Sequence, residues 1–442
     1  MGADDLRQIG QNGAQVFAQG SVGGGRRAPL DGAADQWGLF FRSVRFMLMA
    51  AFNNRSGGMV TQDEWQAERP LQGLRVVEIG TSVAAPYAAW ILGGLGADVV
   101  KVERPGPGDD ARQWGRMFPD GSSTYFQALN RDKRGITVDL TDEKERQWLR
   151  DFCVNEADIV LQNMRPGKVE KYGLGGDALT AANPRLIYCN LGAFGRAGPL
   201  KERAGYDPLM QAYGGIMSIT GEEGRPPIRV GVSIVDMGTG LWCAVGILSA
   251  LRRLGETGKG CVVDASLYET GVAWMTNSVS SAGVDGRNPE RQGSGARGMA
   301  PYQAYACSDG HLVIAAPNDR LFERLSGVLG HEEWLADPRF TTNQDRYENL
   351  DQLNALIEPV VATQPRAHWQ AELDKVGIPN APVQQVLEMM ADPQTEALGI
   401  IQEAGGPKLM GMPLSFDGAR PPLSRYAPTL GQHNDEIKGT DD

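Results

Sequence analysis

Two buried strands around one helix, between residues 74 and 103, leave few folds open to this chain. Residues 74–79 (LRVVEI) and 97–103 (ADVVKVE) are apolar and rich in β-branched side chains, as buried strands are. A loop of small residues at 80–85 leads into a helical segment at 86–95 that has proline in its first turn. Parallel strands joined by such a crossover helix open a Rossmann-type sheet, so we predict an α/β fold.

The alternation of strands and helices continues along the chain. Further strands are predicted at 135–139, 158–162, 185–190 and 261–264, with helices at 142–155 and 176–182. After Pro301 the pattern changes to two alternating strands, 302–306 and 311–315, around Ser308-Asp309-Gly310. Helices are then predicted at 319–329, 351–363 and 367–376, and a strand at 409–414.

These patterns divide the chain into four predicted segments. Residues 1–68 are a glycine-rich N-terminal extension, which we expect to be partly disordered around one helical run. Residues 69–299 form a large Rossmann-like domain, and residues 300–400 form a small α+β domain. Residues 401–442 form a C-terminal segment that returns to the large domain.

The composition argues against several classes of partner. The chain of 442 residues has a formal net charge of −11 and no dense basic stripe, so we expect no nucleic-acid partner. Its 4 histidines all lie in the last third and form no cluster with cysteines, so we predict no metal site. Its 5 cysteines are scattered without a CxxC pair, which favours reduced thiols and a cytoplasmic location.

We expect neither a signal peptide nor a membrane partner. Asp4 and Asp5 occupy the place of the basic residues that open a signal peptide. The most membrane-like run, 37–52, is short and contains Arg42 and Arg45, so it is predicted to be an amphipathic helix that lies on protein.

The strand ends favour an anionic ligand other than a dinucleotide. The loop at 80–85 (GTSVAA) lacks the GxGxxG spacing that lets a pyrophosphate approach the backbone, so no dinucleotide redox cofactor is expected. Arg104 follows the second strand, and Arg165, Lys168 and Lys171 follow the fourth. Cations at the carboxyl ends of parallel strands suit a phosphate, although solvated surface cations are the alternative interpretation.

An acidic residue follows an apolar run at residues 229–241 (RVGVSIVDMGTGL). We predict a buried strand or extended segment, a tight turn and a helix, with Asp236 at the junction. A carboxylate at such a junction can be held rigidly at the mouth of a pocket. The alternative is that Asp236 only caps the helix, which is a common and stabilising role for aspartate.

Seven ordered motifs resemble one family. They are PLQGLRVV at 70–77, GADVVKVERP at 96–105, GYD at 205–207, VDMGTG at 235–240, TGKG at 257–260, PYQAY at 301–305 and LGQH at 430–433. In this order they resemble the family III CoA-transferases, a group that includes formyl-CoA, carnitine and dicarboxylate CoA-transferases and the related 2-methylacyl-CoA racemases. The resemblance spans residues 70–438 and leaves out the N-terminal extension.

The resemblance implies a fold and a set of site residues. The family fold is an interlocked homodimer, in which the active site lies between the large, CoA-binding domain of one subunit and the small domain of the other. Asp236 matches the family's nucleophile. The implied CoA-binding residues are Val83, Ala84, Arg104, Val138, Thr141, Asn163, Met164, Arg165 and Lys171, and the implied active-site loop residues are Gly192, Phe194 and Tyr206. Thr141 stands where formyl-CoA transferase has lysine, which puts that contact in doubt.

The implied reaction moves CoA from an acyl-CoA donor to a carboxylic acid through an aspartyl-CoA thioester on Asp236. The CoA thioester is then a substrate, and no tightly bound cofactor is expected. The motifs look closest to those of succinyl-CoA-dependent dicarboxylate transferases, and Arg225, Arg229 and Arg297 are candidates for binding a second carboxylate. Backbone donors for the oxyanions are expected in the glycine loops, which include Gly192, Gly195, Gly238 and residues 293–298.

Two other functions stay open at this point. Racemases of this fold remove a proton with a His/Asp pair, and Tyr206 occupies the place of that histidine, thirty residues before Asp236. The reference pKa of tyrosine is about 10, which makes it a poor base at neutral pH. The other function is a CoA-binding protein without catalytic activity, which the presence of Asp236 argues against.

Overall fold

The structure is a computed structural model that describes residues 69–439. The predictions for residues 1–68, namely partial disorder and one helical run, fall outside the described residues. The division of the chain at residue 299 stays a prediction.

A six-stranded parallel sheet organises residues 75–266. The strands are β1 Arg75–Ile79, β2 Asp98–Glu103, β3 Lys133–Thr137, β4 Ile159–Gln162, β5 Ile187–Gly192 and β6 Cys261–Ser266. They pair in the order β3-β2-β1-β4-β5-β6, which is the order of a Rossmann sheet. The predicted α/β fold is confirmed. The order reverses between β1 and β4, and ligands of open α/β sheets bind beside the carboxyl ends of the strands at such a point.

Helices cover the sheet. Those up to residue 285 are α1 Ala84–Gly94, α2 Thr124–Asn130, α3 Glu143–Asn155, α4 Lys168–Lys171, α5 Gly176–Ala182, α6 Asp207–Tyr213, α7 Ile216–Ile219, α8 Ile234–Thr257, α9 Leu267–Trp274 and α10 Thr276–Asp285. A 3₁₀ helix lies at Asp110–Gln113. The long apolar helix α8 lies against α1 on one face of the sheet, and the amphipathic helix α3 contributes its apolar side to the core of the other face.

A glycine sets the distance between α8 and α1. A Cβ on Gly240 would lie 2.6 Å from the carbonyl oxygen of Ala84, so only glycine allows the backbones to approach this closely. Next to it, Cys243 and Ile247 are fully buried against the alanine-rich face of α1. Burying an aliphatic side chain contributes about 1.5–3 kcal/mol, so this contact fixes where α8 begins relative to the loop after β1.

A second, smaller sheet lies between residues 302 and 382. Its antiparallel strands are β7 Tyr302–Cys307, β8 Gly310–Ala315 and β9 Asn380–Pro382. The predicted pair of strands around Ser308-Asp309-Gly310 is confirmed. Helices α11 Asp319–Leu329, α12 Asn343–Glu348, α13 Leu350–Val361 and α14 Arg366–Lys375 surround its core, with a 3₁₀ helix at Glu332–Ala336.

The C-terminal part of the described chain has little regular structure. It contains α15 Val386–Met390, α16 Pro393–Leu398, α17 Asn434–Lys438 and the two-residue strands β10 Ile401–Gln402 and β11 Leu409–Met410. The strand predicted at 409–414 is therefore shorter than expected. Side chains of this segment bond to β3, since the amides of Gly135 and Thr137 donate to His433 Nδ1 at 3.0 Å and Asn434 Oδ1 at 2.9 Å.

Residues 229–233, before α8, form a loop rather than a strand. No strand of the described chain pairs with them, and Val232 is 60% exposed, so their β-branched side chains do not mark a buried strand. Helix α8 itself is the one helix of residues 69–439 that is long and apolar enough to cross a membrane. Its inner face is buried in the core.

Candidate active site

A cavity of about 730 Å³ opens where the first five strands end. Each strand end contributes to its wall: Ile79 from β1, Glu103 from β2, Val138 after β3, Asn163 after β4 and Gly192 from β5. The cavity therefore occupies the position at which the strand order of the sheet reverses.

The cavity brings most of the sequence-predicted site residues together. Those on its wall are Val83, Ala84, Arg104, Val138, Thr141, Asn163, Met164, Arg165, Gly192, Tyr206 and Asp236. Phe194 lies instead on an adjoining cavity of about 480 Å³, which shares Met164 and Gly192 with the first. Lys171 lines neither cavity. It is the last residue of the single-turn helix α4, and the first residue of that helix, Lys168, lies on the cavity wall instead.

Asp236 is the third residue of α8 and lies on the wall of the cavity. Its side chain accepts no hydrogen bond from any residue within 69–439. The helix start is capped by another residue: Asp207 Oδ2 accepts from the backbone amides of Val235 at 2.7 Å and Asp236 at 3.2 Å. The capping role considered for Asp236 therefore belongs to Asp207, and the carboxylate of Asp236 is free for other chemistry.

The surroundings of Asp236 favour its protonated form. Burial is the larger cause and the charge of Asp207 the smaller one, and together they raise the pKa of Asp236 from 3.8 to about 7. A carboxylate with a raised pKa is more basic and more nucleophilic than one in water, and such groups are concentrated at functional sites.

Asp207 is a site residue that the sequence analysis missed. It is 3% exposed, begins α6, and accepts a hydrogen bond from Gln211 Nε2 at 2.6 Å. Gln211 Oε1 accepts in turn from the amide of Val230 at 2.8 Å, which fixes the loop before α8. Asp207 belongs to the GYD motif at 205–207, in which the family resemblance assigns a role only to Tyr206.

The loop after β1 is held by side chains from the loops that follow β2 and β4. Ser82 has φ of 72°, an unusual value for a residue other than glycine, and its amide donates to Asp109 Oδ1 at 3.0 Å. Asn163 bonds to both backbone groups of Thr81, at 3.0 Å to the amide and 2.8 Å to the carbonyl. The loops after β1 and β4 therefore form one continuous wall of the cavity.

The cations on the wall are mostly exposed. Arg104 pairs with Asp110, and Arg165 and Lys168 lie near the turn after β4. Arg203 lies close to the segment of Tyr206, with its guanidinium 5.8 Å from the centre of the Phe194 ring. Arg203 was not predicted.

The three arginines proposed for a second carboxylate line neither cavity. Arg225 is 3.8 Å from Glu222, and Arg229 donates to the carbonyl of Val230 at 3.2 Å. Arg297 donates to the carbonyl of Glu290 at 2.9 Å.

The expected role of one glycine is wrong. Gly238 lies inside α8, and a Cβ there would come within 2.8 Å of the Trp274 ring. It is needed for helix packing, so it does not provide a loop amide for an oxyanion. Gly192, by contrast, lies on the cavity wall at the end of β5.

Comparisons with known proteins agree with this arrangement. The chain is 33% identical over 386 residues to a mouse succinyl-CoA:glutarate CoA-transferase, covering 85% of this chain and 87% of the relative. It is 36% identical over 371 residues to an acetyl-CoA:oxalate CoA-transferase of Acetobacter aceti, covering 84% and 95%. A crystal structure of a CAIB/BAIF family protein from Brucella suis superposes with a TM-score of 0.77 at 40% identity, covering 84% and 98%.

The family model matches nearly the whole described chain. Residues 71–434 fit CoA-transferase family III, and this range contains the sheet, the cavity and Asp236. The chain belongs to CoA-transferase family III.

Proposed function

We propose that this chain transfers CoA from succinyl-CoA to a second dicarboxylic acid through an aspartyl-CoA thioester on Asp236. The observation that carries the proposal is the state of this side chain: it lies on the wall of the strand-end cavity, accepts no hydrogen bond from residues 69–439, and has a pKa raised to about 7. A structural carboxylate is normally paired or bonded, as Asp207 is here.

In the first half of the reaction, an Asp236 carboxylate oxygen attacks the thioester carbonyl of the donor. The C–S bond breaks, which gives a mixed anhydride and CoA thiolate. The thiolate then attacks the aspartyl carbonyl, forming the aspartyl-CoA thioester and releasing the donor acid as a carboxylate. The acceptor carboxylate reverses both steps. Positioning must provide much of the rate, because a carboxylate is a weak nucleophile.

The substrate class is supported by the relatives and by one cation. The mouse relative is named for succinyl-CoA and glutarate, and the Acetobacter relative for acetyl-CoA and oxalate, so both names contain a dicarboxylic acid as the second substrate. Arg203 lines the cavity and pairs with no carboxylate within residues 69–439. We therefore propose that its guanidinium binds the carboxylate of the substrate that does not react.

We propose in addition that the active form is the interlocked cytoplasmic homodimer typical of the family. Helix α8 exposes Leu241, Trp242 and Val245 to between 44% and 48%, and Trp274 on α9 is exposed to 46%. Apolar side chains of this size on one face indicate a surface that another protein covers. A second copy of the chain is the partner that the family fold supplies.

The direct test is a transfer assay with succinyl-CoA and a panel of dicarboxylic and monocarboxylic acids, read by mass spectrometry of the acyl-CoA products. We expect new acyl-CoA species with dicarboxylic acids only, and none with Asp236→Asn. Arg203→Gln is expected to raise KM for the dicarboxylate about tenfold, as for one charge-assisted hydrogen bond, whereas Arg229→Gln, away from the cavity, leaves it unchanged.

Three results would contradict the proposal. If none of the dicarboxylic acids gives a new acyl-CoA, dicarboxylate transfer is excluded. Full activity of Asp236→Asn would exclude the covalent route. Exchange of the α-proton of a 2-methylacyl-CoA for deuterium, in the absence of transfer, would assign the chain to the racemases.

A further inference from the structure

Two lysines buried beneath the cavity are not explained by the reaction. Lys101 on β2 and Lys133 on β3 are both fully buried, together with the carboxylates of Glu78 and Asp109. Isolated charges of this kind are costly to bury, so each needs a complete set of partners.

Each ammonium has three oxygen atoms within 3.2 Å. Lys101 Nζ lies 3.2 Å from Glu78 Oε1, 2.9 Å from Asp109 Oδ2 and 2.9 Å from the carbonyl oxygen of Gly80. Lys133 Nζ lies 2.8 Å from Glu78 Oε2, 2.8 Å from Asn130 Oδ1 and 2.9 Å from the carbonyl oxygen of Pro86. Lys133 uses all three of its donors in hydrogen bonds, whereas Lys101 uses two and forms an ion pair with Asp109.

The backbone acceptors of the two lysines are the two ends of one segment. Gly80 follows β1 and Pro86 lies in the first turn of α1, and between them Thr81, Ser82, Val83 and Ala84 line the cavity. Asp109, the partner of Lys101, accepts the amide of Ser82 in the middle of the segment. One buried network therefore holds residues 80–86 at the start, the centre and the end.

The segment needs such support. The left-handed conformation of Ser82 costs about 1–3 kcal/mol and persists only where the surroundings impose it. Gly80 is equally confined, because a Cβ there would lie 2.6 Å from that of Ala85. Through Thr81 and Asn163 the same support reaches the turn after β4.

The charges of the network balance. Next to the two lysines, Arg112 pairs with Glu103 at 2.7 Å, and Glu103 Oε2 accepts the amide of Asp109 at 2.9 Å. Three cations therefore face three carboxylates. No charge remains to act on the substrate, which argues that the network supports the loop rather than the chemistry.

We propose that Lys101 and Lys133 are positioning residues that hold the segment 80–86 in its strained, CoA-binding conformation. This inference rests on the proposed function, because it assumes that acyl-CoA occupies the cavity. Neither lysine touches the reacting atoms, so their removal is expected to act on CoA affinity before it acts on the chemical step.

The two lysines respond differently to pH. Burial would lower the pKa of Lys101, but the carboxylates of Glu78, Asp109 and Glu103 outweigh it and raise that pKa. Burial is the main cause that lowers the pKa of Lys133 to about 8. The carboxylate of Glu78 raises this pKa, but the positive charge of Lys101 lowers it again, and Asp109 raises it only a little. Above this pH, neutral Lys133 has two N–H groups for three acceptors and must release one.

Loss of this proton is not expected to unfold the protein. Because the pKa of Lys133 is lower in the folded chain than in the unfolded one, the unfolded state binds more protons between pH 8 and about 10.4, and stability from this group rises with pH. A fall in CoA affinity above pH 8 without a fall in melting temperature therefore identifies loop positioning.

The test is calorimetric titration of the full-length protein with desulfo-CoA, which has no thiol to ionise, at pH 7 and pH 9. The wild type is expected to bind about tenfold more weakly at pH 9, the effect of one charge-assisted hydrogen bond. The charge-balanced variant Glu78→Gln/Lys133→Met is expected to bind weakly at both pH values. Arg134→Gln, changed at the next residue of β3, is the matched control and is expected to follow the wild type.

A second variant covers the case in which the double variant does not fold. Asn130→Asp gives Lys133 another carboxylate, so the pH at which affinity falls is expected to rise by about one unit. The inference is overturned if the folded double variant binds like the wild type at both pH values, or if Asn130→Asp leaves the pH profile unmoved. Failure of the wild type to bind desulfo-CoA at pH 7 would instead overturn the proposed function.

Discussion

Asp207 and Asp236 divide between them two tasks at the start of α8. Asp207 is bonded to two helix amides and to Gln211, and Asp236 is left without a donor in the described chain. The predicted position of Asp236 at a helix start is confirmed. The sequence could not show which aspartate caps the helix, because the two residues meet only in the folded chain.

The raised pKa of Asp236 predicts an effect on stability. Its folded pKa of about 7 lies above the unfolded value, so ionisation of this group costs stability as the pH rises from about 4 to 7. Asp236→Asn removes that cost, with an upper limit of about 4 kcal/mol for a shift of this size. Thermal unfolding is expected to show a larger gain in melting temperature at pH 8 than at pH 5. A loss at both pH values would indicate that Asp236 has a structural role.

Asp207 predicts a shift in the pH profile of the reaction. Asp207→Asn keeps one oxygen for the helix amides, but its amide nitrogen would face Gln211 Nε2, so we expect a loss of about 1–3 kcal/mol in stability. The charge that helps to raise the pKa of Asp236 is lost. The acidic limb of kcat/KM is therefore expected to move to lower pH. An unmoved limb would show that Asp236 is not the group that titrates.

At the scale of elements, the strands and the longer helices were predictable from the sequence. Helices 176–182 and 319–329 were placed at their observed bounds, because their apolar periodicity is local information. The run before α8 was partly misinterpreted, since β-branched residues occur in loops as well as strands. Which loops share a wall was not predictable, because it depends on contacts such as that of Asn163 with Thr81, which form only in the folded chain.

The contact between α8 and α1 predicts the effect of a single methyl group. Gly240→Ala would push the helices apart, because the new Cβ would lie 2.6 Å from the carbonyl oxygen of Ala84. We expect a loss of about 1–3 kcal/mol in stability and lower kcat, since Asp236 is displaced from the loop after β1. Gly255→Ala, on the same helix with no atom within 4 Å, is the control and should be neutral or stabilising. Equal effects of the two changes would contradict this account.

At the scale of the whole molecule, the family and the sheet could be predicted from the sequence, but the buried charge network could not be predicted. Lys101 and Glu78 were predicted to lie within buried strands, and the apolar pattern of those strands gives no reason for a charged residue there. Their pairing with Lys133 needs three adjacent strands in register. The exposed apolar face of α8 was not predictable either, because composition cannot distinguish a helix face in the core from one that another subunit covers.

The exposed face of α8 predicts the effect of a charge on assembly. Trp242, 48% exposed, is expected to be buried by a second subunit, so Trp242→Lys should give a monomer with little activity. Arg252→Ala, at a site 74% exposed on the same helix, is the control and should stay dimeric. Sedimentation velocity measures both variants, and a monomeric wild type would contradict the proposed homodimer.

The central claim is that Asp236 is covalently modified during turnover. The most direct measurement is peptide mass spectrometry of protein mixed with succinyl-CoA, trapped with hydroxylamine and quenched in acid. The account predicts a hydroxamate on the peptide that contains Asp236, in an amount approaching one per active site, and none when succinyl-CoA is omitted. Rapid transfer of CoA with residue 236 unmodified throughout would contradict it.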